Sequence, residues 1–321
     1  MKFLAAVCAF TLFLGSRAAD FMSAMNTRFE FAGVEQARHV LTNRDDFVIR
    51  LSPFDRAARL KTSADVSESQ FLAFVATNIL AFEPSEISLI KRGLAKLKPN
   101  LHALKVNWPE SIQFIKTTGR EEGDAAYTRA NAIVFPRSKL RPGGSESIED
   151  LIAHEIFHVL SRHDSTVKEK LYGAIGFHKC DELVFPPSLV RITNPDAPRN
   201  DHWIALTTNG KTVPAIPILF ADPARYDIKR GGEFFSYLQF KFLVVQTNGA
   251  TAIKYDTAKP ILLDPAQAEG FFTQVGQNTQ YIIHPEEILA ENFKLLVTGN
   301  KKVRSPEILS EMKSILNSPG Q

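Results

Sequence analysis

The chain has 321 residues, 44% of them hydrophobic, and a formal net charge of +3. This length can bury a substantial core, and the small net charge excludes a protein built mainly for nucleic acid or for an anionic membrane surface. Its two cysteines, Cys8 and Cys180, exclude a fold held together by several disulfides.

Residues 1–19 predict a secretory signal peptide. Lys2 precedes an apolar run over residues 3–15, and small residues close the segment. The run is shorter than the roughly 20 residues that span a bilayer, and no later run is longer, so we expect no stable membrane anchor. Cleavage would remove Lys2 and Arg17, leave a net charge of about +1, and leave Cys180 unpaired. We therefore expect a secreted or periplasmic protein.

The segment from Phe21 to about Leu104 has the hydrophobic spacing of helices. One amphipathic face comprises Val66, Phe71, Leu72, Val75, Ile79 and Leu80, and a second comprises Ile87, Ile90, Leu94 and Leu97. Two strands are predicted next, the first over 111–118 and the second over 127–135, with a polar turn between them. We expect the second strand to lie at a sheet edge.

The most specific pattern is His154-Glu155-Ile156-Phe157-His158, inside a predicted helix over 148–162 that starts after Ser147. Histidines four residues apart lie one turn apart on one helix face, so both imidazoles can bind one metal ion, with Glu155 beside it. A chain of this composition contains about 0.02 such motifs by chance. Two imidazoles and a third protein ligand suit Zn²⁺, which keeps one position for a water of pKa about 7.

Beyond this motif, a helix is predicted over 167–175, followed by a proline-rich crossing. The turn over 194–198 could rim a cleft, but we interpret it as a connection between elements. The segment between about residues 202 and 263 is rich in strand patterns and contains Asn-Gly hairpin signals, so it predicts an inserted antiparallel sheet. We interpret Cys180 and the nearby His178 as packing residues.

A third metal ligand is expected far downstream, because Ser161 and Asp164 occupy the positions where a longer zinc motif would place Gly and His. A helix is predicted from Pro285 to about Thr298.

On that helix, Glu287 and Glu291 lie four residues apart, hence on one face. Two carboxylates one helical turn apart repel each other mildly, and a cation or a partner side chain would stabilise them. A metal ion together with its ligand imidazoles provides both. Glu286 points about 100° away, so we expect it to face solvent or to pair elsewhere.

The motif His154-Glu155-x-x-His158 followed by Glu287-x-x-x-Glu291 resembles that of the gluzincin metallopeptidases. The resemblance is closest to the family of the CAAX prenyl proteases and the membrane protease HtpX, and more distant to thermolysin. The resemblance implies that Glu287 is the third zinc ligand and that Glu291 holds a ligand histidine. That family also has an N-A-x-x-x-P strand, matched here from Asn131 and Ala132 to Pro136. It implies that Asn131 and Ala132 lie on an edge strand whose backbone binds an extended substrate.

Two departures from the family are visible. Glu291 replaces the usual aspartate, and the gap from His158 to Glu287 is long, which implies an inserted element.

We therefore expect an α+β, zincin-like two-lobe fold in one unit over residues 20–321. Its predicted parts are a helical part (about 20–110), a strand and metal-helix part (about 111–165), the β insertion (about 202–263) and the Glu-ligand helix (about 285–298).

The expected function is a secreted zinc-dependent endopeptidase acting on a peptide or protein substrate. Glu155 would be the general base, and Tyr281, His284 or Tyr255 would stabilise the oxyanion. His284 is also a possible helix cap. Two alternatives stay open: a zincin-fold binding module without turnover, and a metal hydrolase of non-peptide amides such as cell-wall material.

Overall fold

The computed structural model describes residues 27–141, 146–248 and 251–318. The predicted signal peptide lies outside the described residues. Within them, no helix is both long enough and apolar enough to cross a membrane.

The described residues form a mixture of helices and several small sheets, which is compatible with the predicted α+β class. The described helices are α1 (Val34–Leu41), α2 (Pro53–Arg59), α3 (Glu68–Thr77), α4 (Pro84–His102), α5 (Ile148–His163), α6 (Ser165–Ala174), α7 (Phe271–Val275), α8 (Pro285–Thr298) and α9 (Pro306–Asn317). The described strands are β1 (Arg28–Phe31), β2 (Ile79–Leu80), β3 (Ser111–Thr117), β4 (Tyr127–Arg129), β5 (Ala132–Pro136), β6 (Phe177–Lys179), β7 (Val190–Arg191), β8 (His202–Thr208), β9 (Lys211–Ala221), β10 (Leu238–Val244), β11 (Gln246–Thr247), β12 (Ile253–Lys254) and β13 (Leu262–Leu263).

The first sheet has the order β1-β3-β5-β4, with β2 also paired to β3. Strand β3 is parallel to β1 and β5, whereas β4 is antiparallel to β5. The single strand predicted over 127–135 is therefore wrong: it is a hairpin that turns at Ala130, whose φ of 51° lies in the left-handed region. The edge assignment is also wrong, because β5 is interior and β4 is at the edge. Strand β1 lies in the segment predicted to be helical.

The second sheet is formed largely by the predicted insertion. Its order is β13-β10-β9-β8-β6, with β7 also paired to β9, and all of these pairs are antiparallel. Cys180 is buried against one face of this sheet, in a cluster with Leu183, Ile216 and Leu243. The ring of His178 packs against Trp203, with 4.6 Å between centroids.

Helix α5 lies at the centre of the main core. Its N-terminus is capped by Ser147, whose Oγ accepts a hydrogen bond from the Asp150 N–H at 3.0 Å. Ten of its sixteen residues are buried, because α4, α8 and the first sheet cover it on several sides. Gly93 lets α4 approach closely, since a Cβ at that position would lie 3.0 Å from the Ile152 side chain.

Helix α8 packs along α5 and has the predicted boundaries. Pro285 is its first residue, and the His284 ring accepts a hydrogen bond from the Glu286 N–H at 3.1 Å. Gly299 ends the helix with φ of 71°. The two helices together set the positions of the candidate metal ligands.

Candidate metal centre

The packing of α5 on α8 brings together the three predicted metal ligands. His154 Nε2 lies 3.2 Å from Glu287 Oε2, and His158 Nε2 lies 3.6 Å from the same oxygen. One possible ligand atom from each residue lies within 4.8 Å of the other two. The spacing of two histidines on α5 and one acid on α8 thus produces a compact N₂O donor set.

The second nitrogen of each histidine is held by another glutamate. His154 Nδ1 lies 3.0 Å from Glu291 Oε1, and His158 Nδ1 lies 3.0 Å from Glu286 Oε1. An ionised carboxylate accepts from an N–H, so each Nδ1 carries a proton and each Nε2 faces Glu287. His158 Nε2 is buried and has no hydrogen-bond partner among the described residues. A buried nitrogen of this kind beside a carboxylate fits a metal cation.

Glu286 follows the second of its two predicted alternatives, since it pairs with other side chains. It is 2% exposed and accepts hydrogen bonds from His158, from the Ser161 hydroxyl, and from the Tyr172 hydroxyl at 2.6 Å, so the solvent-facing alternative is wrong. Helix α6 contacts α8 and supplies Tyr172, so the direction 100° from Glu287 leads into the protein. The helical angle was right, but sequence alone does not say what lies along it.

The turn over 194–198 is more than the connection that its sequence predicts, because two of its side chains contribute to the centre. Asn194 Nδ2 donates to Glu287 Oε1 at 2.6 Å, and Asn194 Oδ1 accepts from the Asp196 N–H at 3.0 Å. The Asp196 carboxylate accepts from the Thr128 N–H at 2.6 Å and from its hydroxyl at 2.7 Å. The Asn-Pro-Asp-Ala-Pro sequence was the one signal of this side-chain-bonded turn.

Glu155 faces the same space as the donor set. Its Oε2 is buried without a hydrogen-bond partner among the described residues, and one of its oxygens lies within 4.8 Å of ligand atoms of His158 and Asp196. Burial and then the nearby Asp196 carboxylate raise the pKa of Glu155. A base with a raised pKa holds a proton more readily, which suits proton transfer near neutral pH.

The carboxylates also control the two histidines. Burial opposes protonation of His158, but Asp196, Glu287 and Glu286 outweigh it and raise its pKa to about 9. Burial opposes protonation of His154 too, and its hydrogen bonds to Glu287 and Glu291 raise its pKa well above the usual value. The site therefore attracts positive charge at neutral pH, whether as protons or as a metal cation.

A cavity of about 300 Å³ opens beside the donor set. It is lined by Ala125 and Ala126, which precede β4, and by Tyr281, which is 42% exposed and whose ring centroid lies 6.4 Å from that of His154. A smaller pocket of about 50 Å³ shares these three residues. Its apolar walls include Phe234, Phe235, Leu238, Ile192 and Leu219.

Two of the three predicted oxyanion donors lie elsewhere. Tyr255 donates its hydroxyl to the Val184 carbonyl at 2.6 Å and packs against the cluster around Cys180 on the second sheet, so its assignment is wrong. His284 caps α8 through Nδ1, and its Nε2 lies 3.3 Å from the Arg199 carbonyl. Its ring is thus used by the fold, and Tyr281 is the candidate that lines the cavity.

Asn131 and Ala132 do not lie on an edge strand that could bind an extended substrate, so this prediction is wrong. Asn131 Nδ2 donates to the Ser111 carbonyl at 2.8 Å, and Ala132 is fully buried in β5, which has a strand on each side. Neither residue has an open backbone edge to offer a substrate. The motif matched the family in letters, but the hairpin at Ala130 places the edge on the preceding strand.

Comparison with family models, with curated proteins and with solved structures found no match for the chain. A function for the chain must therefore be inferred from the geometry of this centre.

Proposed function

We propose that the protein is a zinc-dependent peptidase with a zincin-like two-lobe active site. One observation supports this most: both histidine Nε2 atoms converge on one oxygen of Glu287, while both Nδ1 atoms are bonded to other glutamates. Helices that merely pack together do not require every ring nitrogen of two histidines to face an acid. A donor set held in this way, with a neighbouring acid that does not belong to it, is what hydrolytic zinc chemistry needs.

His154, His158 and Glu287 would hold the zinc, which when bound supplies a Lewis acid that polarises a carbonyl and lowers the pKa of water. Glu155 would take a proton from the attacking water and return it to the leaving amine. Asn194 keeps Glu287 in place by donating to its other oxygen.

Tyr281 is the proposed oxyanion donor. Its partial removal from water and the carboxylates around it, Glu287 first among them, raise the pKa of its hydroxyl well above the usual value. The hydroxyl thus stays protonated and able to donate a hydrogen bond toward developing negative charge.

A peptide is the substrate class that the edge of the first sheet favours. The Thr128 N–H bonds Asp196 and not β5, so it points to the open side of β4. Backbone direction alternates along a strand, so Ala126, two residues earlier, faces the same side and lines the cavity. A peptide backbone can pair with Ala126, beside the metal centre.

The decisive experiment compares the protein with its Glu155→Gln variant. Metal content by mass spectrometry and cleavage of a peptide library are measured for both. We expect zinc at one equivalent in both proteins and a loss of turnover of at least about 10²-fold in the variant, because Glu155 transfers the proton but does not bind the metal.

Full activity in Glu155→Gln, or loss of zinc together with activity, would contradict this mechanism. Tyr255→Phe is the matched control, since that hydroxyl donates to the Val184 carbonyl and Tyr255 packs against the cluster around Cys180.

A further inference from the structure

The free edge of β4, which no other strand covers among the described residues, is blocked at Thr128. Both the N–H and the hydroxyl of this residue donate to Asp196 Oδ1, so the backbone group that an added strand would use is occupied. Arg162 fixes the arrangement by donating to the Thr128 hydroxyl at 2.9 Å and to the Asp196 carbonyl at 3.3 Å. The turn over 194–198 therefore covers the strand edge at this point.

The turn also divides the groove along β4 into two cavities. The cavity of about 300 Å³ contains the metal ligands and Ala126. A second cavity of about 450 Å³ begins beyond Thr128, where Arg129, Ala130 and Arg162 line it. Asp196 lines both cavities, so it forms the partition. With the turn in place, an extended chain bound beside the metal centre cannot continue along β4 into the second cavity.

Strand direction indicates which end of a substrate meets the partition. Antiparallel pairing is the more stable kind, and β4 runs from Tyr127 toward Arg129. A chain bound antiparallel to it has its amino end toward Thr128 and its carboxyl end toward Ala125. The closed end of the cavity thus faces the amino end of the substrate.

Charge indicates the same end. A carboxylate oxygen of Asp196 lies within 4.8 Å of a Glu155 oxygen and of a His158 nitrogen, hence about one residue from the reacting atoms. The Asp196 carboxylate therefore places negative charge at the closed end of the cavity, beside the space that the first residue of a substrate would occupy. An ammonium fits this position, whereas a chain-terminal carboxylate would be repelled.

We propose that the enzyme is an aminopeptidase, in which Asp196 binds the free α-ammonium group of the substrate and the first peptide bond is hydrolysed. This rests on the proposed peptidase function. Water adds hydroxide to the carbonyl carbon of the first residue, the C–N bond breaks, and the leaving amine takes the remaining proton through Glu155. The products are one amino acid and a peptide shorter by one residue. An endopeptidase would instead need a strand edge that is open beyond Thr128, so that the substrate chain could continue there.

The test uses the zinc-loaded protein and one pentapeptide in three forms: unmodified, N-acetylated and C-amidated. We expect acetylation to lower kcat/KM at least about 100-fold and amidation to change it less than about threefold, with single amino-terminal residues released. Asp196→Asn keeps an acceptor for Thr128 but removes the charge. It should raise KM for the unmodified peptide at least about tenfold and reduce the effect of acetylation to a few-fold.

A binding measurement separates recognition from turnover. L-leucinamide should bind the wild-type protein at least about tenfold more tightly than N-acetyl-leucinamide, and Asp196→Asn should remove most of that difference while keeping its zinc. Glu269→Ala, an exposed acid whose backbone bridges to Thr207 in β8 of the second sheet, is the matched control and should behave as wild type.

Cleavage of internal bonds in the acetylated peptide, at a rate within threefold of the free peptide, would overturn the proposal, as would unchanged discrimination in Asp196→Asn. Failure of the zinc-loaded protein to hydrolyse any form would instead contradict the peptidase function itself.

Discussion

His158 and its partner Glu286 have side-chain exposures of 0% and 2%, whereas His154 and its partner Glu291 have 12% and 20%. Both pairs have the same geometry, with a glutamate oxygen 3.0 Å from Nδ1. Their surroundings differ, because Glu286 also bonds Ser161 and Tyr172 inside the core. Glu291 instead bonds Lys294 near the cavity.

This difference means that the two acids are not interchangeable. Water can take the place of an acceptor at the partly exposed Glu291, but it cannot easily reach the position of Glu286. We expect the buried pair to set the stability of the centre and the exposed pair to tune its affinity.

The largest effect is expected at Glu287, because both histidine–glutamate pairs face the same oxygen of this residue. Glu287→Ala removes the oxygen that both Nε2 atoms face, so the protein should be isolated largely without zinc and without activity. Metal analysis after dialysis measures this directly. A Glu287→Ala protein that stays loaded, together with an empty Glu291→Gln protein, would show that the ligand lies one helical turn later.

The second-largest effect is the difference between the buried pair, His158 and Glu286, and the partly exposed pair, His154 and Glu291. Glu286→Ala should weaken zinc binding about 100-fold and lower the free energy of unfolding by about 3 kcal/mol, because it leaves a buried His158 without its acid. Glu291→Ala should weaken zinc binding only about tenfold and change stability by less than about 1 kcal/mol.

Zinc titrations against a chelator and urea unfolding of the metal-free proteins measure the two quantities. Glu286→Gln, which keeps acceptor oxygen without charge, is the matched control and should recover part of the lost stability. Equal effects at positions 286 and 291 would contradict the contrast between the two pairs.

A third effect is pH dependence. The pKa of His158 is about 9 in the metal-free protein, raised by carboxylates against the effect of burial, so zinc must displace a proton at any lower pH. Zinc affinity should rise about tenfold per pH unit between pH 6 and 8 for each histidine that loses a proton.

Stability of the metal-free protein should show the opposite trend. A folded-state pKa above the unfolded value of about 6.5 gives stability that is complete below pH 6.5 and is lost as pH rises through 9. Melting temperatures across this range test the sign. A flat zinc affinity between pH 6 and 8 would show that the histidines are already neutral.

The smallest effect is expected at Lys294. It donates to Glu291 Oε1 at 2.7 Å, in a partly exposed pair. Lys294→Met should change zinc affinity at most about fivefold and leave the buried pair untouched. A larger loss would show that the exposed pair depends on its cation more than the comparison implies. The same chelator titration measures it.

Local patterns predicted the parts of the site that depend on helix geometry. The four-residue spacing of His154 and His158, and of Glu287 and Glu291, fixed which side chains share a face, and capping residues gave the start of α5 and the bounds of α8. These features depend on neighbours within one or two turns, so the sequence contains them.

The missed features depend on contacts between distant segments. Thr128 and Asp196 are 68 positions apart, and Glu286 and Tyr172 are 114 apart. Nothing near Glu286 in the sequence says that α6 covers that side of α8. The interior position of β5 likewise follows from its pairing with β3 and from the left-handed turn at Ala130, which the strand pattern of 127–135 did not show.

The start of α8 at Pro285 has an electrostatic consequence. Glu286 and Glu287 lie in the first turn of the helix, where aligned peptide dipoles place about half a positive elementary charge. Part of the negative charge of both acids is therefore balanced by the backbone before any cation binds. A carboxylate balanced in this way donates less charge to a metal than a free one does, so the bound cation would keep more of its electrophilic strength. The helix end would thus act as a fixed positive charge that strengthens a bound cation as a Lewis acid, although it is not itself a ligand.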